Sequence, residues 1–274
     1  MLLALDIGNS NVSVGVFELA ANQTPKIVAH FKISAKEIST DEYTVLIKDF
    51  LLRNQIYDAS CANSSARVVS AAVLSSVVPN LTDTLYRAAW NLCGKPPFVI
   101  ASGIRTGFGI QIKNPEQLGT DIVCNVAAAL QIANAPCAVL DMGTATTLTV
   151  VDTKKNVLGT IIIPGMRVSL NALYDSAAQL SDIVLDNNTE LIGRDTRSSI
   201  CSGIINGNAY MIDGFVRNIR DELGITGTET KLALIATGGL AEYILPHLRN
   251  KFVYKETLTL EGQAILYAKN QKLL

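Results

Sequence analysis

One short pattern occurs twice in this chain, half a length apart. Leu3-Ala4-Leu5-Asp6-Ile7-Gly8-Asn9 is matched in sense by Ala138-Val139-Leu140-Asp141-Met142-Gly143-Thr144. Each copy is an apolar run that ends in Asp, turns through Gly and a polar residue, and enters an alternating segment, residues 12–17 or 146–151. A short apolar run closed by turn residues reads as a buried strand, and the alternation reads as its hairpin partner. A third strand and a helix are expected after both copies, at residues 27–33 and 40–54 and again at 157–163 and 168–178. Self-similarity at this period predicts duplication of one α/β unit rather than a short-repeat solenoid.

The remaining pattern fills out the two halves. Residues 67–74 and 98–100 read as strands and 81–93 as a helix, so the first half runs β-β-β-α-β-α-β. In the second half a long helix is expected from Ser199 to about Leu223. After it come a strand at 232–236, a Thr237-Gly238-Gly239 turn, and helices at 241–249 and 260–270. A single boundary near Leu118 gives domains 1–118 and 119–274. A length of 274 residues with 49% apolar and 17% charged side chains is enough for such cores and excludes disorder.

Composition also excludes classes of function. A net charge of −1 supplies no basic field for nucleic acid. No run of about 18 apolar residues is free of charge, and the amino terminus has no leader pattern, so the expected location is cytoplasmic, with no membrane partner. Cys61, Cys93, Cys124, Cys137 and Cys201 contain no CxxC pair and read as reduced thiols. His30 and His247 alone are poor material for a zinc site or a Ser-His-Asp triad.

The chemistry is expected at the turns. In Asp6-Ile7-Gly8-Asn9-Ser10-Asn11, Gly lets backbone N–H groups approach an anion, Asn and Ser add donors, and Asp6 can hold a hydrated Mg²⁺. The alternative is a hairpin whose Asp and Gly-Asn only satisfy turn geometry. The second copy, Asp141-Met142-Gly143-Thr144-Ala145-Thr146-Thr147, carries a density of hydroxyls that a hairpin does not need, which favours phosphate binding. Gly238-Gly239, after a strand and before a helix, is a candidate third loop of the same site. Asp121, at the first turn of the apolar helix 122–132, is either a cap or a general base for phosphoryl transfer to a hydroxyl.

Together these segments resemble a known family. The duplicated turns are similar to those of the acetate kinase, sugar kinase, Hsp70 and actin superfamily, which joins two ribonuclease-H-like domains around an ATP cleft. Within it, DIGNSNVSVGVF, SSVVP at Ser75-Ser76-Val77-Val78-Pro79, NPEQLGTD, DMGTATT, GTIIIPGM, IGRDT, SGIINGN and ATGGLA resemble type III pantothenate kinase, in order over nearly the whole chain. The resemblance implies an enzyme that phosphorylates pantothenate to 4'-phosphopantothenate with ATP, the first step of coenzyme A biosynthesis. It implies that Asp6, Gly8, Asn9, Ser10 and Asn11 form the first phosphate loop, that Gly143, Thr144, Thr146, Gly238 and Gly239 contact ATP, and that Asp121 is the base. Gly119, Thr120, Ile122 and Thr196 would border pantothenate. Mg²⁺ would travel with ATP by way of Asp6, K⁺ or NH₄⁺ would sit at Asp141, and the chain would act as a homodimer. The alternatives are a kinase of another small hydroxylated acceptor and a non-catalytic nucleotide-binding regulator.

Two positions depart from the family pattern. Ile122 follows Asp121 where the pattern has Arg, and Ile112 stands where it has Tyr, so a guanidinium and a phenol are missing on the acceptor side. Lys113 and Arg194 are candidates to compensate. Ile122→Arg is expected to lower the Michaelis constant for pantothenate and leave that for ATP unchanged.

Overall fold

A computed structural model describes residues 1–56, 69–176, 183–187, 189–225 and 231–274. These residues form two compact units, each interrupted in sequence. The first contains residues 1–108, 113–128 and 257–274, and the second contains 109–112 and 129–256. A single boundary near Leu118 does not express this interleaving, because the C-terminal helix packs in the first unit.

In the first unit, β1 (Leu2–Ile7), β2 (Asn11–Glu18) and β3 (Lys26–Ser34) form an antiparallel meander. β4 (Ala71–Ser76) and β5 (Phe98–Val99) add in parallel on the other side of β1, giving the order β3-β2-β1-β4-β5. β1 is apolar apart from Asp6 because both its faces are covered. Leu3, Leu5 and Ile7 pack on α1 (Thr40–Arg53) and α2 (Pro79–Cys93) through Tyr43, Ile47, Leu51 and Leu85. Leu2 and Ala4 pack, with Phe17 and Val73, on Cys124 and Ala127 of α3 (Thr120–Ile132) and on Leu260, Ala264 and Leu266 of α7 (Leu258–Asn270). Sequence also marks where these helices start and stop. Ser39 and Glu42 form a reciprocal capping box at α1, and Gly94 ends α2 in the left-handed region at φ 70°.

The second unit repeats the arrangement. β7 (Cys137–Met142), β8 (Ala145–Val151) and β9 (Asn156–Pro164) form the meander, and β10 (Ala233–Thr237) and β11 (Val253–Tyr254) add in parallel. The order is β11-β10-β7-β8-β9, with β6 (Gly109–Ile110) added at the β9 edge. Ala138, Leu140 and Met142 pack on Met166 and Leu170 of α4 (Met166–Ser176) and on Ile205, Ala209 and Ile212 of α5 (Thr196–Glu222).

The register carries the duplication into detail. Asp6 lies opposite Ser13 and Ser75, and Asp141 lies opposite Thr147 and Thr237, so each Asp is flanked by hydroxyl residues on both neighbouring strands. Each meander also breaks register at the same place, between Val16 and Phe17 and between Val150 and Val151, three residues beyond the partner of the Asp. The fold is therefore α/β with two duplicated ribonuclease-H-like domains.

Two sequence expectations need correction. The helix expected over 241–249 is the short α6 (Ala241–Ile244) followed by a 3₁₀ turn, Leu245–His247, because Pro246 has no N–H to continue the ladder. The strand expected from residue 67 is Ala71–Ser76. The two-residue strands β6 and β11 are too short to show a period. Residues 67, 68, 177 and 178 and Cys61 lie outside the described residues.

Candidate active site

The first unit presents two carboxylates whose settings differ. Asp6, half-buried, is the last residue but one of β1, before a turn closed by Gly8 N–H donating to Asn11 O at 3.0 Å. Gly8, half-buried, and the exposed Asn9, Ser10 and Asn11 follow it. The Ser75 hydroxyl, fully buried on β4, donates to Asp6 Oδ1 at 2.6 Å. Ser75 Oγ in turn accepts Gln263 Nε2 at 2.6 Å, and the same amide nitrogen donates to Leu5 O at 3.0 Å.

Asp121 is at the second residue of α3. Its Oδ1 folds back to accept the Ile122 N–H at 2.8 Å. Gly119 permits this, because a Cβ there would run into that same Oδ1. Thr120 Oγ1 ties the helix start to β4 by donating to Ser76 O at 3.2 Å. Burial raises the Asp121 carboxyl above its ordinary value, against the opposing pull of the backbone N–H groups of Ile122 and Asp121. One helical turn on, the buried Cys124 thiol is pushed far up by desolvation and by the charges of Asp6 and Asp121, so it remains a neutral filler beside both acids.

In the second unit three segments converge on one turn. Asp141 is the last residue but one of β7, and Gly143 N–H donates to Ala145 O at 3.0 Å. Gly165 donates to Thr144 O at 3.1 Å, and a Cβ on Gly165 would collide with Thr144 O and lie 2.6 Å from Gly143 O. Gly238, at φ 94°, lies against the Met142 backbone, where a Cβ would be 2.5 Å from N and O. Gly143 and Thr144 are exposed, whereas Thr146 is buried with its hydroxyl unpartnered. Gly143, Thr144, Thr146 and Gly238 are thus brought together around Asp141, with Gly239 exposed beside them. The helix after Gly239 has only four residues, too few to carry a helix-dipole argument for an anion.

Of the acceptor-side candidates, Gly119, Thr120 and Ile122 lie together at the start of α3 in the first unit, and Thr196 lies in the second. Ile122 is 8% exposed and belongs to the buried side of α3, and Ile112 is half-buried. Thr196 opens α5 in an exposed position, after Asp195, which caps the helix through Ser198. Beside it is a shallow concavity of about 280 Å³ lined by Glu190, Arg194, Asp195 and Ser198 among others. Arg194 there lies 3.6 Å from Glu190.

The donor set at both Asp turns is oxygen only, which suits Mg²⁺ and K⁺ over softer ions. Among the described residues no group of three or more His, Cys, Asp or Glu gathers to hold an ion. One carboxylate per turn fits an Mg²⁺ carried mainly by nucleotide phosphates. Among the described helices none is long and apolar enough to cross a membrane.

Ser75 and Gln263 are the residues that sequence reasoning assigned no role. The available signal was a Gln on the buried, otherwise apolar face of the helix, between Leu260 and Ala264. Its Oε1 is buried without a partner, a cost of about 1–3 kcal/mol that an apolar side chain would avoid.

Comparison with known proteins adds the following. The sequence profile of type III pantothenate kinases matches residues 2–218. A type III pantothenate kinase of Dictyoglomus turgidum is 36% identical over 98% of this chain and all of its own length. One from Agathobacter rectalis is 33% identical over 99% of this chain and 98% of its own. Among solved structures, a Baf-family protein from Campylobacter jejuni superposes with a TM-score of 0.56 at 16% identity, over 98% of this chain and 99% of that one. The activator of 2-hydroxyisocaproyl-CoA dehydratase from Clostridium difficile, with ADPNP bound, gives 0.54 at 14% identity, over all of this chain and 97% of that one. At these identities the two structures are evidence of shared fold alone.

Proposed function

The chain belongs to the type III pantothenate kinase family, and from that premise we propose how its residues phosphorylate pantothenate to 4'-phosphopantothenate, the first step of coenzyme A biosynthesis. Asp121 is the general base. The hydroxyl oxygen of pantothenate attacks the γ-phosphorus of ATP, its proton passes to Asp121, the bond from γ-phosphorus to the bridging oxygen breaks, and ADP leaves. With Oδ1 held by the Ile122 N–H, the proton goes to Oδ2.

The observation that carries this assignment is the geometry of Asp121, anchored at the start of α3 with Oδ1 held by the Ile122 N–H and Oδ2 left for a proton, in a setting whose burial raises the carboxyl. A carboxylate at its ordinary value accepts a proton weakly at neutral pH, and burial moves it toward the operating range. The backbone and side chains of Gly8, Asn9, Ser10 and Asn11 hold phosphates on the first unit, as do Gly143, Thr144, Thr146, Gly238 and Gly239 on the second. Gly119, Thr120, Ile122 and Thr196 border pantothenate. Asp6 meets the Mg²⁺ of the nucleotide and Asp141 a K⁺ or NH₄⁺, and these ions supply charge neutralisation to the phosphates. The chain works in the cytoplasm as a homodimer.

ADP release measured with and without pantothenate tests the function. Release that depends on pantothenate is the expected result. Release only with other hydroxylated acceptors would make it a different kinase, and no release with any acceptor would make it a regulator. Equal rates in sodium and potassium buffers would remove the monovalent cation from Asp141.

A further inference from the structure

We propose that Gln263 is a positioning residue for phosphoryl transfer, acting through Ser75 to fix the Asp6 carboxylate. The inference deepens the reading of Asp6 as a nucleotide-side residue and rests on it.

The hydrogen-bond directions are set by chemistry. Leu5 C=O can only accept, so the group 3.0 Å from it must be the amide nitrogen of Gln263 and not its oxygen. That nitrogen therefore also faces Ser75 Oγ at 2.6 Å and donates to it. Ser75 has a single hydroxyl hydrogen. With Gln263 donating to its oxygen, that hydrogen points to Asp6 Oδ1 at 2.6 Å. The relay runs one way, from the C-terminal helix through β4 to the end of β1, and it locks the rotation of the Asp6 carboxylate. Both intermediates are fully buried, so water does not compete for either bond.

The price of this orientation is visible in the same side chain, since the lock leaves Gln263 Oε1 buried without a partner. The unpaired oxygen offsets much of what the two bonds to Leu5 O and Ser75 Oγ contribute, so the net gain in stability from this amide is small. A purely structural role and a positioning role then differ in outcome. The structural role requires Gln263→Met to unfold the protein more easily. The positioning role leaves stability nearly unchanged and impairs the nucleotide side of the reaction.

The test is a double-mutant cycle on the full-length enzyme with Gln263→Met, Ser75→Ala and the pair, with melting temperature and both Michaelis constants measured. Each single variant is expected to raise the constant for Mg·ATP about tenfold and leave that for pantothenate unchanged, and the double variant to be no worse than either single. Additive effects, or a change confined to pantothenate, would overturn the relay. If Gln263→Met does not fold, Ser75→Ala alone decides, and an unchanged constant for Mg·ATP overturns the proposal. Asp6→Ala separates the two levels. No effect there on the Mg·ATP constant defeats the reading of Asp6 and this inference together, whereas a strong effect beside an additive cycle defeats the relay alone.

Discussion

At the scale of single residues, the same burial that equips Asp121 for catalysis weighs against the fold. Its folded value lies above its unfolded one, so the folded state holds the extra proton between the two. Stability from this group is therefore lost as pH rises through that window, and the ionised form is unfavourable at neutral pH. Asp121→Asn is expected to reduce turnover by about 10²–10⁴-fold. At pH 7 its melting temperature should equal or exceed wild type, and a clear fall would assign Asp121 a structural role instead. The wild-type rate should decline on the acid side at a higher pH than an exposed aspartate would set, which a pH profile of kcat/KM reads directly. Burial also pushes the Cys137 thiol up to about 12 and raises that of Cys124 well above its ordinary value, so neither should react with a thiol reagent in the native protein at pH 8. Ile122 is 8% exposed, so Ile122→Arg places a guanidinium where an apolar side chain now packs. A loss of about 1–3 kcal/mol is expected. The pantothenate constant of that variant still tests whether the missing arginine matters to acceptor binding.

At the scale of elements, the turns are held by close backbone approach, and paired glycine substitutions expose this. Gly238 has φ 94° and no room for a Cβ against Met142, while Gly239 has no atom within 4 Å of the equivalent position. Gly238→Ala is expected to cost about 2–4 kcal/mol and Gly239→Ala less than about 1 kcal/mol, as measured by denaturant unfolding. Equal costs would show that the second-unit loop is not packed as described. The doublet is visible in the sequence, but which of its glycines is indispensable is not, since that depends on a backbone about a hundred residues away in the chain. Helix 241–249 failed as an expectation for a local reason instead. Ala241, Ile244, Leu245 and Leu248 keep a helical spacing that Pro246 interrupts.

At the scale of the whole molecule, the C-terminal segment completes the first unit. Leu260, Ala264 and Leu266 cover the face of β1 that Leu2 and Ala4 present, and Leu273 O accepts Asn22 N–H at 2.9 Å. Deleting residues 257–274 is therefore expected to abolish cooperative unfolding of the first unit, followed by calorimetry or hydrogen exchange, while amides of β7 and β8 keep their protection. A chain cut at Leu118 should not fold alone, because it also lacks α3.

The sequence by itself determined the duplicated strand-turn-strand units, the Asp near the end of each first strand, and the acid at the first turn of α3. These are written in local order, as apolar runs, period-two alternation and turn residues, and neighbours along the chain decide them. It also determined the family, through motifs in the right order. Tertiary structure alone decided three further points. Asp121 has a raised carboxyl because of what buries it, and desolvation is a property of packed neighbours rather than of order. Ser75 meets Asp6 because β4 lies parallel to β1 in one register, 69 residues on. Gln263 meets Ser75 because a helix 188 residues further along returns to cover that sheet, a contact no local pattern can encode.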